Sequence, residues 1–406
     1  MPFNLALSGL NAASSDLEVT ANNIANVNSI GFKGSRAEFA DVFSLTGTGV
    51  SDIAIGNGVR LAAVSQQFGQ GNIEFTNNNL DLAVSGSGFF TVRNDAGLAY
   101  TRAGNFSVDR DGFVVNPKGQ KLQVFPPSTG GTFDISRIQD LRLNTAQSAP
   151  IASDSAELTL NLPSNATVPV TVPFDPNDPT SFNHSTSFTV FDSLGAAHTA
   201  SVFYLKDVAP NAWTSVLQID GVSAGPAQPV TFDTSGALAT PVGGTLTYPA
   251  LVVSPGAAPL ALSLDMTNVS QTSDTFSVSG ITQNGSPTGR LTGIDIGPDG
   301  VVSARFSNGQ SNPLGQLAVT SFANSQGLQQ LGDTTWGETF ASGSALRGQA
   351  GSGSLGLVQS GALESSNVDL TAQLVNMIKA QRNFQANAQM ISTADRITQT
   401  VINIRN

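Results

Sequence analysis

The side chains that most often carry chemistry are scarce in this 406-residue chain. It has no cysteine and two histidines, His184 and His198. Disulfides, thiolate zinc sites and cysteine nucleophiles are therefore excluded. The usual acid–base residue near neutral pH is almost missing. Ser85-Gly-Ser-Gly88 is glycine-rich, but the strand-like run Phe89-Phe-Thr-Val92 follows it. A phosphate cradle should instead precede a helix N-terminus. Asp109-Arg-Asp-Gly112 opens like a calcium loop and lacks the later acidic ligands, so it reads as a β-turn. His198 lies in a strand pattern with no second His, Glu or Asp at ligand spacing, which suits a satisfied structural histidine. No Ser-His-Asp or paired-carboxylate motif stands out. The expectation is a non-enzyme with no catalytic, metal or cofactor-binding residue.

The elements at the two ends are of one kind and those between them of another. Apolar or small residues recur at Phe3, Leu7, Leu10, Ser14, Leu17, Ala21 and Ile24. The alternating steps of four and three are a heptad repeat, with Gly31 a plausible stop beyond it. The C-terminus repeats this at Leu370, Leu374, Met377, Gln381, Phe384, Ala388 and Ile391. Two steps of three through Ala394 to Ile397, before Val401 and Ile404, act as a stammer. Ser366-Asn-Val-Asp369 fits a capping-box start. The other faces are rich in amides (Asn11, Asn22, Asn23 and Asn26; Asn376, Asn383, Gln385, Asn387 and Gln389). Uncharged amides can meet a neighbour without the several kcal/mol cost of desolvating an ion. The two stripes are expected to pack on each other, within a subunit or between subunits.

Between the helices the pattern is β. Phe89–Val92, Leu98–Thr101, Phe106–Val108 and Phe113–Val115 read as an antiparallel meander broken by turns at Asn94–Gly97, Asp109–Gly112 and Asn116–Gly119. Asn57-Gly58, Asn284-Gly285 and Asn308-Gly309 are hairpin-turn dipeptides. Ser187–Phe191 and His198–Leu205 flank Asp192-Ser-Leu-Gly195 as a hairpin. Gly348–Ser354 suggests a flexible joint.

Charge and proline shift together in the middle. Residues 146–284 hold ten acids and one base (Lys206), and the rest of the chain nineteen acids and seventeen bases. Thirteen of the twenty prolines lie between Pro150 and Pro259, so both shifts point to an inserted domain. The net charge of −11 makes nucleic acid and anionic membrane poor partners. No run is apolar enough to span a bilayer, and the first residues lack the features of a cleaved signal peptide.

The expected fold is multidomain α+β, with terminal helices forming a coiled coil and mainly antiparallel β-domains between them. Residues 1–30 and 365–406 form the terminal helical assembly domain, and 31–70 and 348–364 the connecting segments. An inner β-domain takes 71–145 and 285–347, and an outer acidic β-domain is inserted at 146–284.

Leu10-Asn-Ala-Ala-Ser-Ser-Asp-Leu-Glu-Val-Thr-Ala-Asn-Asn-Ile-Ala-Asn-Val-Asn-Ser-Ile-Gly-Phe-Lys33 resembles the N-terminal signature of bacterial flagellar rod, hook and hook-associated axial proteins. Gly361-Ala-Leu-Glu-Ser-Ser-Asn-Val-Asp-Leu370 and Met377-Ile-Lys-Ala-Gln-Arg-Asn-Phe-Gln-Ala-Asn387 resemble the matching C-terminal signature. Tyr100-Thr-Arg-Ala-Gly-Asn-Phe106, after Gly88-Phe-Phe90, is similar to the shared β-domain motif. The signature positions here are Asn22, Asn23, Ile24, Ala25, Asn26, Gly31, Phe32, Lys33, Asn367, Val368, Asp369, Leu370, Gln381 and Arg382. Within the family, Phe188-Thr-Val-Phe-Asp-Ser-Leu-Gly-Ala-Ala-His198 resembles the outer domain of hook proteins. Gln373 and Phe384 depart from the common Glu and Tyr.

The resemblance implies a subunit that polymerises with itself into a curved tube, coupling motor and rod to filament and transmitting torque. It also implies export through the flagellar apparatus without a cleaved signal, and location in the hook outside the cell. Implied partners are the distal rod, the hook cap and the hook–filament junction proteins, with no cofactor. Assembly would run through Phe3, Leu7, Leu10, Leu17, Ile24, Leu370, Leu374, Met377, Phe384, Ile391, Ile397 and Val401. Other readings are a distal rod subunit, a secreted β-rich structural protein and a carboxylate hydrolase acting on polysaccharide.

Overall fold

The computed structural model describes residues 2–42, 56–128, 131–143 and 147–404. Helix α1 spans Pro2–Ala25 and helix α2 spans Leu370–Ile404, with a β-rich body between them in sequence. The described residues divide into two compact units. The first is Met1–Asn144, Ile294–Ala304 and Asn312–Asn406; the second is Thr145–Gly293 and Arg305–Ser311. The expected edge at Ala146 lies outside the described residues. The second unit runs past Asn284 to Gly293 and takes in the turn around Asn308 and Gly309.

In the first unit, β1 (Ser35–Asp41) and β2 (Val59–Gln66) form an antiparallel ribbon with a bulge at Glu38/Phe39. Next come β3 (Ile73–Phe75), β4 (Leu82–Ser85), β5 (Phe89–Asn94) and β6 (Gly97–Thr101). Strand β5 shows why Phe89-Phe-Thr-Val92 is an unbroken apolar run. Phe90 and Val92 enter a core with Leu82, Val84, Leu122 and Val124. Phe89 enters a separate aromatic cluster with Tyr100, Phe322 and Trp336. A strand covered on both faces needs apolar residues on both.

The expected turns form by asparagine and aspartate capping. Asp109 Oδ1 accepts from the Asp111 and Phe113 amides. Asn116 Oδ1 accepts from Lys118 and Gln120. Gly112 and Gly119 follow at φ +83° and +76°, a region that glycine enters without strain. The expected meander is corrected: β5 and β6 pair, but β6 then pairs with Thr335–Gly337, from much later in the chain.

Four local expectations also change. Helix α1 ends at Ala25, well before Gly31. Helix α2 starts at Leu370, and its cap is Asp369, whose Oδ1 accepts from Ala372 N at 3.1 Å; Ser366 is not the cap. Of the three Asn-Gly pairs, Asn308-Gly309 makes a tight turn, with Phe306 N donating to Gln310 O. Asn57-Gly58 leads into β2, while Asn284 Oδ1 accepts from Asp154 and Ser155 amides. The joint foreseen at Gly348–Ser354 is a hydrogen-bonded turn that places Ala350 in the core.

In the second unit, His184–Phe191 and Ala197–Lys206 form the expected hairpin, with Phe191 opposite Ala197. Asp192 Oδ1 accepts from Leu194 and Ala196, and Gly195 completes the turn at φ +83°. A second sheet is built on Ser155–Pro163. It pairs antiparallel with Ser277–Gln283 but parallel with Ser263–Asp265 and Ser270–Thr272. Those short parallel pairings have no tight-turn signal in sequence. Trp213, Tyr204, Leu158 and Leu264 share one core.

His198 has partners that its spacing hid. Its Nδ1 is 2.6 Å from Asp220 Oδ2 and its Nε2 is 3.4 Å from Asp192 Oδ2. Ser254 Oγ is 3.2 Å from the same Nε2. A serine, a histidine and an aspartate thus meet in space. The second carboxylate favours a proton on both ring nitrogens, and an imidazolium is not a general base. Burial opposes the imidazolium charge, yet the hydrogen bonds from Asp220 and Asp192 outweigh it and raise the pKa. Asp220 is held low chiefly by its bond to His198. Asp192 is pushed up by burial but held low on balance by the Ala196 and Leu194 amides and His198.

A raised histidine pKa contributes stability that is full below its unfolded value of about 6.5 and lost as pH rises through the folded value. The lowered aspartates contribute stability present above their unfolded value of about 3.9 and lost as pH falls. Melts of a Trp336→Phe variant, followed by Trp213 fluorescence, should therefore show the second unit losing stability on the alkaline side of pH 6.5. His198→Gln should flatten that alkaline slope, and an unchanged slope would refute the assignment.

Candidate assembly interface

The termini are joined by a buried ionic cluster in the first unit. Lys33 Nζ lies 2.6 Å from Glu364 Oε1, and Arg102 Nη1 lies 3.1 Å from Glu364 Oε2. The Glu364 and Lys33 side chains are wholly buried, and that of Arg102 nearly so. Backbone groups add further bonds: Lys33 Nζ donates to Gly69 O, Arg102 Nη2 to Gly86 O, and Gly71 N to Glu364 Oε1, while Arg102 Nε is buried without a partner. Burial, opposed by Glu364, lowers the Lys33 pKa. The Arg102 guanidinium also lies over the Phe89 ring at 5.4 Å.

The signature asparagines do related work. Asn23 exchanges two hydrogen bonds with the Ser35 backbone, donating to its O at 2.7 Å and accepting from its N at 2.8 Å. This locks the end of α1 to the start of β1. Asn367 Oδ1 accepts from Gly34 N, and its Nδ2 donates to Gln67 O and Gly69 O. Gly31 sits at φ +67°, and an added Cβ there would meet the Arg102–Ala103 backbone. Only glycine allows that approach. Val368 packs beside Gly34, Asp369 caps α2, and Asn26 Nδ2 donates to Asn22 O. Phe32 is half-buried; Asn22, Ala25, Gln381 and Arg382 are exposed.

Helix α1 lies alongside α2 and the β1–β2 ribbon. The helices are antiparallel. Gly9 faces Asn387, and Asn23 Nδ2 donates to Gln373 Oε1 at 3.4 Å. The buried α1 residues are Ala6, Ala13, Thr20 and Asn23. On α2, Ala380 is buried, with Gln373, Met377, Asn387, Ile391 and Ala394 half-buried. The α1 seam runs one position before the bulky row, about 100° around the helix. Small side chains allow the closest helix approach, so the seam takes the small row.

The bulky row lies beside this seam. Leu10, Leu17 and Ile24 are half-buried. Phe3, Leu7, Leu370, Leu374, Phe384 and Ile397 are exposed. Val401 belongs to α2, but its side chain lies outside the described residues. Asn23 and Asn387, read as outward amides, instead face the seam. Arg102 and Glu364 were missed as site residues. Their signal was three isolated charges, Lys33, Arg102 and Glu364, inside otherwise apolar or small-residue motifs. Among the described residues no His, Asp and Glu side chains group to hold a metal, and no helix could cross a membrane.

Four family models match the chain: the flagella basal body rod protein at residues 3–33, the flagellar hook protein FlgE/F/G D1 domain at 83–175, the flagellar basal body protein FlaE D2 domain at 161–286, and the flagellar basal body rod FlgEFG protein C-terminal at 359–404. The chain is 38% identical to the flagellar hook protein FlgE of Escherichia coli, covering 100% of both chains. It is 31% identical to that of Borreliella burgdorferi, covering 98% of both. The fold is similar to the crystal structure of Helicobacter pylori flagellar hook protein FlgE2, with TM-score 0.54, 15% identity, and coverage of 72% of this chain and 100% of that one.

Removing one partner of a buried ion pair costs about 3–5 kcal/mol, because the other charge stays behind. Glu364→Ala strands two cations and should destabilise the first unit by that amount in denaturant melts. The second unit's transition should not move. Lys33→Met leaves Glu364 paired with Arg102 and should cost less. Equal costs for the two variants would show that the three charges do not act as one cluster. Full-length identity above 30% and matched models at both ends and in the β-rich body place the chain in the flagellar hook protein family.

Proposed function

We propose that the chain is the structural subunit of a flagellar hook and that it polymerises through its two terminal helices. One observation carries the reading: α1 turns its small residues Ala6, Gly9, Ala13 and Thr20 toward α2, while Phe3 and Leu7 of its bulky row and Leu370, Leu374 and Ile397 of α2 stay uncovered. Phe3, Leu7, Leu370, Leu374 and Ile397 are between 41% and 60% exposed. Fully burying a large apolar side chain is worth about 1.5–3 kcal/mol, and covering the exposed half of one about half of that. A second copy offering the same rows supplies that cover, and contacts between unlike patches propagate into an open helical polymer. The helices then act as a coiled coil, paired within the subunit by the small seam and between subunits by the bulky row.

The second unit is read as an inserted outer domain. Its chain entry and exit run together, with bridges at Ser148/Gly289 and Ile151/Ser286, as insertion requires. Its acidity suits an outward face. Torque transmission, unfolded export, and contacts with rod, cap and junction proteins complete the reading. A distal rod subunit is the second reading, because two of the matched models describe rod proteins and both lie at chain ends. Electron microscopy of polymers grown by salt separates the two: curved, flexible tubes for a hook, straight ones for a rod.

Leu7→Asp and Leu374→Asp should abolish polymers in that assay, while the monomer melting temperature stays within about two degrees. Ala13→Asp places its carboxylate in the small seam and should instead weaken the α1–α2 pairing, read as lost helical circular dichroism. Normal polymers from Leu7→Asp would exclude the bulky row as the contact.

A further inference from the structure

The β-rich part of the first unit carries a fully exposed phenylalanine, Phe340. Its backbone is firmly held. Ser342 is buried, its Oγ donates to Thr339 O, and Thr339 N donates back to that Oγ. Asn324 N donates to Ser342 O, and its Nδ2 to Ala341 O. Gly327 lies so close to Ala341 and Ser342 that an added Cβ would clash. A large apolar ring is thus displayed on a rigid turn, where a monomer gains nothing from it.

The same unit has an open pocket of about 400 Å³ with one apolar wall of Phe68, Phe89, Phe322 and Leu346, the rest being Arg102, serines and small residues. A cavity of about 150 Å³ lined by such side chains already takes a benzene ring. Phe68 and Phe89 meet edge to face at 5.6 Å, and Phe89 and Phe322 at 6.1 Å. An incoming ring would extend this array in its preferred geometry. Phe340 does not occupy the pocket, although Ala323 and Ser325 of the pocket wall flank the Asn324 that ties its turn.

We propose that Phe340 of one copy inserts into the Phe68/Phe89/Phe322/Leu346 pocket of a second copy. This contact is made by the β-rich body and is separate from the helical seam. It rests on the reading of the chain as a polymer-forming subunit. A second copy is the occupant because knob and pocket belong to one chain, match in chemistry and are both uncovered. Two unlike patches joined in this way extend an open polymer.

The absence of cysteine from the chain makes cross-linking clean. Phe340→Cys and Leu346→Cys variants are prepared separately, mixed, polymerised with salt and oxidised. A disulfide between the two positions requires neighbouring chains to bring them within bonding reach. The expected result is a mixed dimer carrying the 340–346 cross-linked peptide in polymers and not in mixed monomers. Phe340→Ala should raise the critical concentration for polymerisation about tenfold or more, with unchanged monomer melting, and Phe340→Tyr should restore most of the loss. Polymers lacking the 340–346 disulfide, or Phe340→Ala polymerising at the unmodified chain's concentration, overturn the contact and leave the subunit reading standing. Failure of the unmodified chain to polymerise overturns both.

Discussion

One buried carboxylate, Glu364, sets the arrangement of the first unit. It meets Lys33, which follows α1, and Arg102, which follows β6, and it stands six residues before α2. Three distant stretches of chain therefore converge on one pair of oxygens. A buried ion pair is weak as a source of net stability, since desolvating the charges offsets most of their attraction. It is strong as a constraint on geometry, because any arrangement that separates the three leaves a charge without water or partner. The Gly31, Gly69, Gly71 and Gly86 backbones crowd close and supply further hydrogen bonds. With this cluster formed, Asn23 and Asn367 have only short spans left to bridge. Both helices then emerge from a body that fixes their roots.

The helices divide their surfaces by side-chain size. Alanine, threonine and glycine allow the two backbones to approach, and Asn23 with Gln373 adds a polar contact within the seam. Polar groups in such a seam favour one register over its neighbours. On α1 the large side chains are displaced to the flank, where Leu10, Leu17 and Ile24 are half-covered and Phe3 and Leu7 stay exposed, while α2 brings Met377 and Ile391 to the seam. A pairing through the large row would bury more area inside one subunit and leave less to hold subunits together.

In the second unit, ionisable groups serve structure. Asp192 holds the hairpin turn through two amides and also faces His198, which Asp220 holds from the other side. Ser254 completes a constellation that looks like a nucleophile and its base. The second carboxylate favours the protonated ring, and the same atoms that resemble a catalytic set tie the hairpin turn to neighbouring segments.

The sequence alone determined the terminal helices, the β character between them, several local turns and the family. Heptad spacing gives helices at both ends, and Asp-x-x-Gly and Asn-x-x-Gly give turns at Asp109, Asn116 and Asp192, because those signals act over a few residues. It also marked Asn23, Gly31, Lys33, Asn367 and Asp369 as special without saying why. Only the tertiary structure decided that Lys33 and Arg102 share Glu364, that β6 pairs with Thr335–Gly337, and that His198 sits between Asp192 and Asp220. Each joins residues whose separation along the chain carries no periodic signal. The helix seam shows the physical reason most clearly. Hydropathy ranks Leu7 above Ala6, yet packing chose Ala6, because the distance between two helices is set by the smallest side chains that can face each other, and that choice depends on the partner helix.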